Sequence, residues 1–285
     1  MQDLEGKTAV VTGAASGMGF AFADCFADEG MNVVLADIEE KSLREAGARI
    51  EAAGGTVLLV PTDVSDEASM DHLGVATREC FGAAHVVCLN AGVAGGGGPM
   101  ETLTTNDWKW GLDVNLWGVI HGIRVFLAGL KAQNEGHLVI TASVAGLTSY
   151  PGTGPYNASK HAAVTIAETL HAELAEERSA VGVSCLCPGR VATRIHESDR
   201  NRPKELIDED APLPDEEARK ILSGVFARGK PPAEVAELVL KAVVEEQFWI
   251  ETDEVFREPI RARHESIENA TEPPARGNIL APYFS

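Results

Sequence analysis

Tyr156 and Lys160 stand four residues apart in a stretch of helical character, so one helix face presents a phenol and an ammonium one turn apart. A phenol ordinarily ionises near pH ~10 and a lysine near ~10.4. A cation beside the phenol favours the phenolate and draws its ionisation towards neutrality. Such a pair can take a proton from an alcohol or give one to a carbonyl oxygen. The spacing is common in helices, however, and carries weight only in company. Some of that company lies at the other end of the chain, in the turn Thr12-Gly13-Ala14-Ala15-Ser16-Gly17-Met18-Gly19. Glycines there allow a tight turn and a close backbone approach, and the N-terminus of the helix that follows attracts a pyrophosphate. The spacing departs from the commonest G-x-G-x-x-G fingerprint. Asp37 lies about 20 residues further on, at the end of the next apolar run, where an acid accepts hydrogen bonds from adenosine ribose hydroxyls. Its charge would repel a 2′-phosphate. Ile38 and Glu39 follow it rather than an arginine, and Ser16 rather than a basic residue precedes the middle glycine. These features point to NAD in preference to NADP.

The elements that must position these residues are legible in the hydrophobic pattern. Apolar, β-rich runs at 8–12, 32–37, 56–60, 85–90, 137–142, 181–187 and 248–251 alternate with helical patterns. The first helix carries Met18, Phe22, Cys25 and Phe26 on one face and stops at Gly30. Others are expected at 39–53, 66–81, through 115–130, at 156–177, and from Pro231-Pro232 to 246. Strands apolar on both faces, each followed by a helix, imply a parallel sheet covered on both sides. Right-handed crossovers then give the order 3-2-1-4-5-6 with a further strand. The expected fold is therefore α/β, a Rossmann-type doubly wound parallel sheet of about seven strands. A single catalytic domain is expected over 1–255. Residues 194–230, charged and broken by Pro203, Pro212 and Pro214, read as a mobile lid with short helices. A C-terminal extension, 256–285, is expected to be helical to about 269.

Bulk properties exclude several function classes. Acidic residues outnumber basic ones 43 to 24, for a formal charge of −19, which disfavours nucleic acid and anionic membrane surfaces as partners. The 5 cysteines are scattered singly, without metal-ligand spacing. Cys185-x-Cys187 places two thiols on one strand face, as core packing does. An odd count with no targeting segment points to the reducing cytoplasm, and no apolar run is long enough to span a bilayer.

In order along the chain stand the glycine turn 12–19, Asn90-Ala91-Gly92 after the fourth strand, Asn115 in a helix, Ser143 after the fifth strand, Tyr156-x-x-x-Lys160, and Pro188-Gly189 after the sixth. This joint pattern resembles the short-chain dehydrogenase/reductase family, in its compact single-domain branch, over about residues 4–250. The resemblance implies that Ser143 steadies the substrate oxygen, that Lys160 binds the nicotinamide ribose and tunes Tyr156, and that Asn115 holds a water in a proton relay. It assigns cofactor contacts to Gly13, Ser16, Gly17, Met18, Gly19, Asp37 and Ile38 and, about the adenine and its ribose, to Asp63, Val64, Asn90, Ala91 and Gly92. Tyr156 and Lys160 also face the cofactor, and Pro188, Gly189, Val191 and Thr193 orient the nicotinamide. Leu89 replaces the first residue of the usual Asn-Asn-Ala-Gly run and is expected to be buried. The acidic segment 251–254 and a further helix replace the glycine-rich end many relatives use in tetramers, so a homodimer through the long helices stands beside a homotetramer.

The expected reaction is interconversion of a secondary alcohol and a ketone, with NAD(H) as hydride carrier. Segments 93–99 and 144–153 and the lid from Arg190 onward should border the substrate. Gly95 to Gly98 would form a flexible entrance. Leu147, Tyr150 and Ile195 suggest an apolar pocket for an aromatic or alicyclic alcohol beside the Ser143 hydroxyl, with His196 either an exposed or lid-anchoring residue, the favoured reading, or one polar contact to the substrate. Ile195-His196-Glu197-Ser198 and Asn201-Arg202-Pro203 further resemble bacterial dehydrogenases acting on the benzylic alcohol of aryl ethers. An NADPH-linked ketoreductase and a non-catalytic NAD(H)-binding regulator are the alternatives. Asp37 opposes the first and the Ser143–Tyr156–Lys160 set the second.

Overall fold

The computed structural model describes residues 1, 3–208, 216–275 and 277, with the side chains of 216–219 excepted. The lid's 209–215, with Pro212 and Pro214, and the chain end at 278–285 lie outside the described residues.

The strands are β1 (Thr8–Thr12), β2 (Asn32–Asp37), β3 (Thr56–Pro61), β4 (Val86–Leu89), β5 (Gly136–Thr141), β6 (Val181–Cys187) and β7 (Trp249–Glu251). The helices are α1 (Gly17–Asp28), α2 (Glu40–Ala52), α3 (Glu67–Phe81), α4 (Thr105–Leu112), α5 (Gly118–Gln133), α6 (Gly154–Glu176), α7 (Glu216–Ala227), α8 (Pro232–Glu245) and α9 (Arg257–Glu268). The strands pair in parallel, in the order β3-β2-β1-β4-β5-β6-β7, as the alternation of strand and helix requires.

Each strand feeds two cores because its side chains alternate. Ala9, Val11, Val33 and Leu35 join one apolar layer with Phe22 and Phe26 of α1, Leu43 and Ile50 of α2 and Val239 of α8. Val10, Val34 and Ala36 face the opposite layer, with Leu73 of α3, Phe126 of α5 and Ala163 of α6. Leu89 is buried and its methyls press on Gly122 of α5, where an added Cβ would lie 2.2 Å away. Cys185 and Cys187 are buried with their sulfurs 3.8 Å apart. No helix among the described residues is long and apolar enough to cross a membrane.

One departure matters for the site. The helix expected through 115–130 begins earlier, at Thr105, whose α4 is opened by a reciprocal capping box between Thr104 and Asp107. A π-helical turn, Asp113–Trp117, then separates α4 from α5. The inserted residue displaces the helix surface locally, a distortion often found at functional sites. The order of the strands reverses beside β1, and the loops at that crevice, beyond the C-terminal strand ends, are where an open α/β sheet binds ligands.

Candidate active site

The glycine turn leaves β1 with positive φ at Gly13 (68°) and Gly17 (56°). A Cβ on Gly13 would meet Ala91 Cα at 2.9 Å, and one on Gly19 would meet Gly13 O at 2.1 Å. Thr12 Oγ1 accepts from the N–H groups of Asn90 (2.9 Å) and Ala91 (3.1 Å), and Asn90 Nδ2 returns a bond to Thr12 O at 3.0 Å. The 90–92 run is thereby stitched to the turn. Helix α1 starts from an extended Ser16 with no side-chain cap and no acid in its first turn. Its positive end thus remains available, which suits a pyrophosphate.

Asp37 Oδ2 accepts from Ala15 N and its Oδ1 from Glu39 N, both at 2.9 Å. Burial pushes its carboxyl up, against the pull of those two N–H groups and of Arg200. Each oxygen keeps lone-pair capacity for a ribose hydroxyl. Asp63 Oδ1 accepts from Ser65 N and Oγ, and Val64 O meets His121 Nδ1 at 3.0 Å. One cavity is lined by Gly13, Ser16 to Gly19, Asp37 to Glu39, Asp63, Val64 and Asn90 to Val93. It extends to Tyr156, Lys160, Pro188 and Thr193.

Proline in the first turn of α6 sets Tyr156 at that helix's start, with Lys160 one turn on. The buried Lys160 donates from Nζ to Thr141 O at 2.9 Å, and Nζ lies 5.7 Å from the Tyr156 ring centroid. Burial pulls Lys160 down to about 8. It pushes Tyr156 up, and a hydrogen bond from Ser143 draws it partly back. The ammonium is directed at Thr141 O, and burial disfavours both ions. Ser143 is buried beside Tyr156, its Oγ accepting from Ala145 N at 3.1 Å.

Asn115 is fully buried by the π-helical turn. Its Oδ1 accepts from Val93 N at 2.8 Å, and its Nδ2 donates to Val93 O at 2.9 Å and Ser159 Oγ at 3.1 Å. The side chain clamps the 90–93 loop. Asn115→Ala is expected to cost about 3 kcal/mol by stranding these buried partners, read as a lowered urea midpoint. An unchanged midpoint would refute the clamp.

Other expectations about the site need correction. Leu147 packs into the sheet's core layer, not against the cavity. Tyr150 is buried with Val144, Ala145 and Phe256, in a cluster that backs Tyr156 and is covered by Ile260 of α9. His196 stacks on Phe226, with ring centroids 5.0 Å apart, and lines a second hollow beside α1, which fits the lid-anchoring reading of this residue and not the substrate contact. Gly189 donates its N–H to Thr252 Oγ1, and the Val191 side chain enters the core, which leaves the rest of their backbone to meet a cofactor. Gly95 and Gly96 are not a loose entrance: Cβ atoms there would meet Gly111 Cα at 3.0 Å and Asp107 Oδ1 at 2.8 Å. Of the proposed substrate neighbours, Ile195 lines the cavity, joined by Trp110, Ser198, Pro203 and Leu206. The capping pattern Thr104-x-x-Asp107 could have placed Trp110 on a helix; nothing local marked Leu206.

A phosphate-attracting helix end at one side of a cavity and a proton-handling phenol at the other are what a dinucleotide-linked oxidoreductase requires. Comparison with known proteins gives that class its family. The family model described as short chain dehydrogenase matches residues 7–204. A dehydrogenase/reductase of CLA biosynthesis from Lactiplantibacillus plantarum is 32% identical over 94% of this chain and 95% of its own. The C alpha-dehydrogenase of Sphingobium sp. is 29% identical over 96% and 89%, which bears out the resemblance read from the lid. A short chain dehydrogenase/reductase from Burkholderia phymatum, solved in complex with NAD, superposes with a TM-score of 0.92 at 43% identity, over 97% of this chain and 99% of that one. The chain belongs to the short-chain dehydrogenase/reductase family and is an oxidoreductase.

Proposed function

We propose that this protein oxidises a secondary alcohol to a ketone with NAD+, and runs the reverse with NADH, using Tyr156 as the general base and acid. The observation that carries this reading is the shared cavity: Tyr156, contacting Ser143 and 5.7 Å from Lys160 Nζ, opens onto the same space as the glycine turn and Asp37. When bound, the nicotinamide supplies hydride transfer and, oxidised, a positive charge. The first-turn N–H groups of α1 would hold its pyrophosphate, Asp37 the adenosine ribose and Lys160 the nicotinamide ribose. Ser143 would donate to the substrate oxygen while Tyr156 removes or returns its proton. In a proton relay Asn115 would act through its main chain, because its side chain is committed to Val93 and Ser159.

The apolar walls Val93, Trp110, Ile195 and Leu206 favour an aromatic or alicyclic alcohol, in keeping with the likeness to a C alpha-dehydrogenase. Free cysteines throughout fit a cytoplasmic enzyme. Exposed Trp117, beside the long α5, fits a homodimer or homotetramer; membranes and nucleic acid are not partners on this reading.

Asp37 decides between cofactors. Initial rates with a secondary alcohol are expected to favour NAD+ over NADP+ by 10-fold or more, roughly the ~1.4 kcal/mol that one repelled charge supplies. A preference for NADP+ would instead make this an NADPH-linked ketoreductase.

A further inference from the structure

The stretch between Val191 and Lys230 leaves the sheet and returns to one point. Val191 and Lys230 form an isolated bridge, with Ala192 N bonded to Lys230 O and Lys230 N to Arg190 O, each at 2.9 Å. Its first part, through the 3-10 turns Ile195–Asn201 and Lys204–Leu206, is a strap that lines the cavity alongside the glycine turn and Asp37. Beyond its root, the strap is tied down largely by side chains. Ser198 Oγ accepts from Ala94 N at 2.9 Å near the middle of the cavity. Arg202 pairs with Asp107 at 2.7 Å and lies 5.3 Å from the Trp110 ring centroid.

A further tie is at the adenosine end. Arg200 Nε donates to Glu39 Oε1 at 2.8 Å, its second nitrogen lies 2.7 Å from the same oxygen, and Asn201 Nδ2 adds a third contact at 2.9 Å. All three residues line the cavity, two positions from Asp37, and Arg200 is close enough to Asp37 to favour its carboxylate. The Glu39 and Arg200 side chains are 24% and 28% exposed, so the pair is reachable by water and salt yet held by several hydrogen bonds. Glu39 begins the turn into α2 and is fixed to the sheet, whereas Arg200 rides on the strap. A contact that joins a rigid element to a loop across a ligand's path closes that path while it is made.

We propose that Glu39, Arg200 and Asn201 form a latch that closes the strap over the adenosine half of the cavity, making Glu39 and Arg200 positioning residues that set how long NAD(H) stays bound. This rests on the NAD(H) reading given above. The latch acts on cofactor exchange and leaves the proton chemistry at Tyr156 alone. All three contacts converge on one carboxylate oxygen, so removing the Glu39 charge weakens every one of them and removing the Arg200 side chain takes away the two charged ones.

The test is NADH release from the full chain, followed by stopped-flow fluorescence on displacement with excess NAD+, for wild type, Glu39→Gln, Arg200→Ala and the double variant. Each single change is expected to speed release about 10-fold, the size of one lost charged contact, and the double change to add little more, since both remove the same contact. Raising the salt concentration should speed release from wild type and barely affect the variants. These are readouts that a loss of general stability would not produce. Wild-type release from Arg200→Ala, with faster release only from Glu39→Gln, would overturn the latch and make Glu39 a direct cofactor contact. Fully multiplicative effects in the double variant would overturn it as well. A wild-type chain that takes up no NADH would overturn the cofactor reading and the latch with it.

Discussion

Tyr156→Phe is expected to lower alcohol oxidation by about 10²- to 10⁴-fold, the range for removing a general acid or base, while NADH binding stays near the wild-type value. The ring that remains still packs against the cluster of Val144, Ala145, Tyr150 and Phe256, so folding should be little affected. The other cavity residues assigned to the dinucleotide are untouched. The pH profile adds a second readout. Burial raises the Tyr156 phenol, and a base works only when deprotonated, so wild-type oxidation should climb as pH rises, and ketone reduction, which needs the protonated phenol, should fall. Lys160 is pulled down to about 8, so its charge fades as pH rises through that value. A positive ring bound beside the pair then becomes the main stabiliser of the phenolate, and the climb should begin at lower pH with saturating NAD+ than with limiting NAD+. Steady-state rates and NADH fluorescence titration check these points. Tyr156→Phe with wild-type turnover would remove this residue from the chemistry, and loss of NADH binding would show that the hydroxyl serves the cofactor instead.

The other large effect is expected at the glycine turn. Gly19 has no strained φ; what makes it glycine is proximity, since an added Cβ would lie 2.1 Å from Gly13 O, 2.7 Å from Gly13 C and 2.8 Å from Asn90 Nδ2. Two of those atoms are backbone and cannot turn aside. Gly19→Ala should therefore push α1 away from β1, costing about 3 kcal/mol and abolishing NADH binding by displacing the N–H groups at the helix start. Gly129→Ala is the matched control. That glycine lies exposed in α5 with nothing within 4 Å of an added Cβ, and the change should stabilise the protein by roughly 0.5–1 kcal/mol through helix propensity. Urea denaturation of both variants measures the contrast. A Gly19→Ala protein as stable as wild type and still able to bind NADH would mean that the turn is not packed as described.

Much of this protein is written in local pattern. Val10 and Val11 must face opposite cores because strand side chains alternate, and the run of apolar strands joined by helices leaves a parallel sheet with right-handed crossovers as its solution. The glycine turn, Asp37 at a strand end and the Tyr156–Lys160 spacing are equally local, since each depends on neighbours within a turn or a strand. They lie around one cavity because the strand order brings their C-terminal ends together.

Tertiary structure alone decided the rest. The pair Glu39 and Arg200 is separated by 161 positions, and no periodicity encodes such a contact. The π-helical turn that buries Asn115 against Val93 arises from packing between α4, α5 and the 90–93 loop, not from propensity. Leu147, Tyr150 and His196 are of the right type and stand in the right segments for a substrate wall, yet α9, the core and Phe226 claim their side chains. Burial likewise acts against both ions of the Tyr156–Lys160 pair. Sequence spacing shows that a phenol and an ammonium share a helix face; the cost of desolvating each ion depends on everything folded around them.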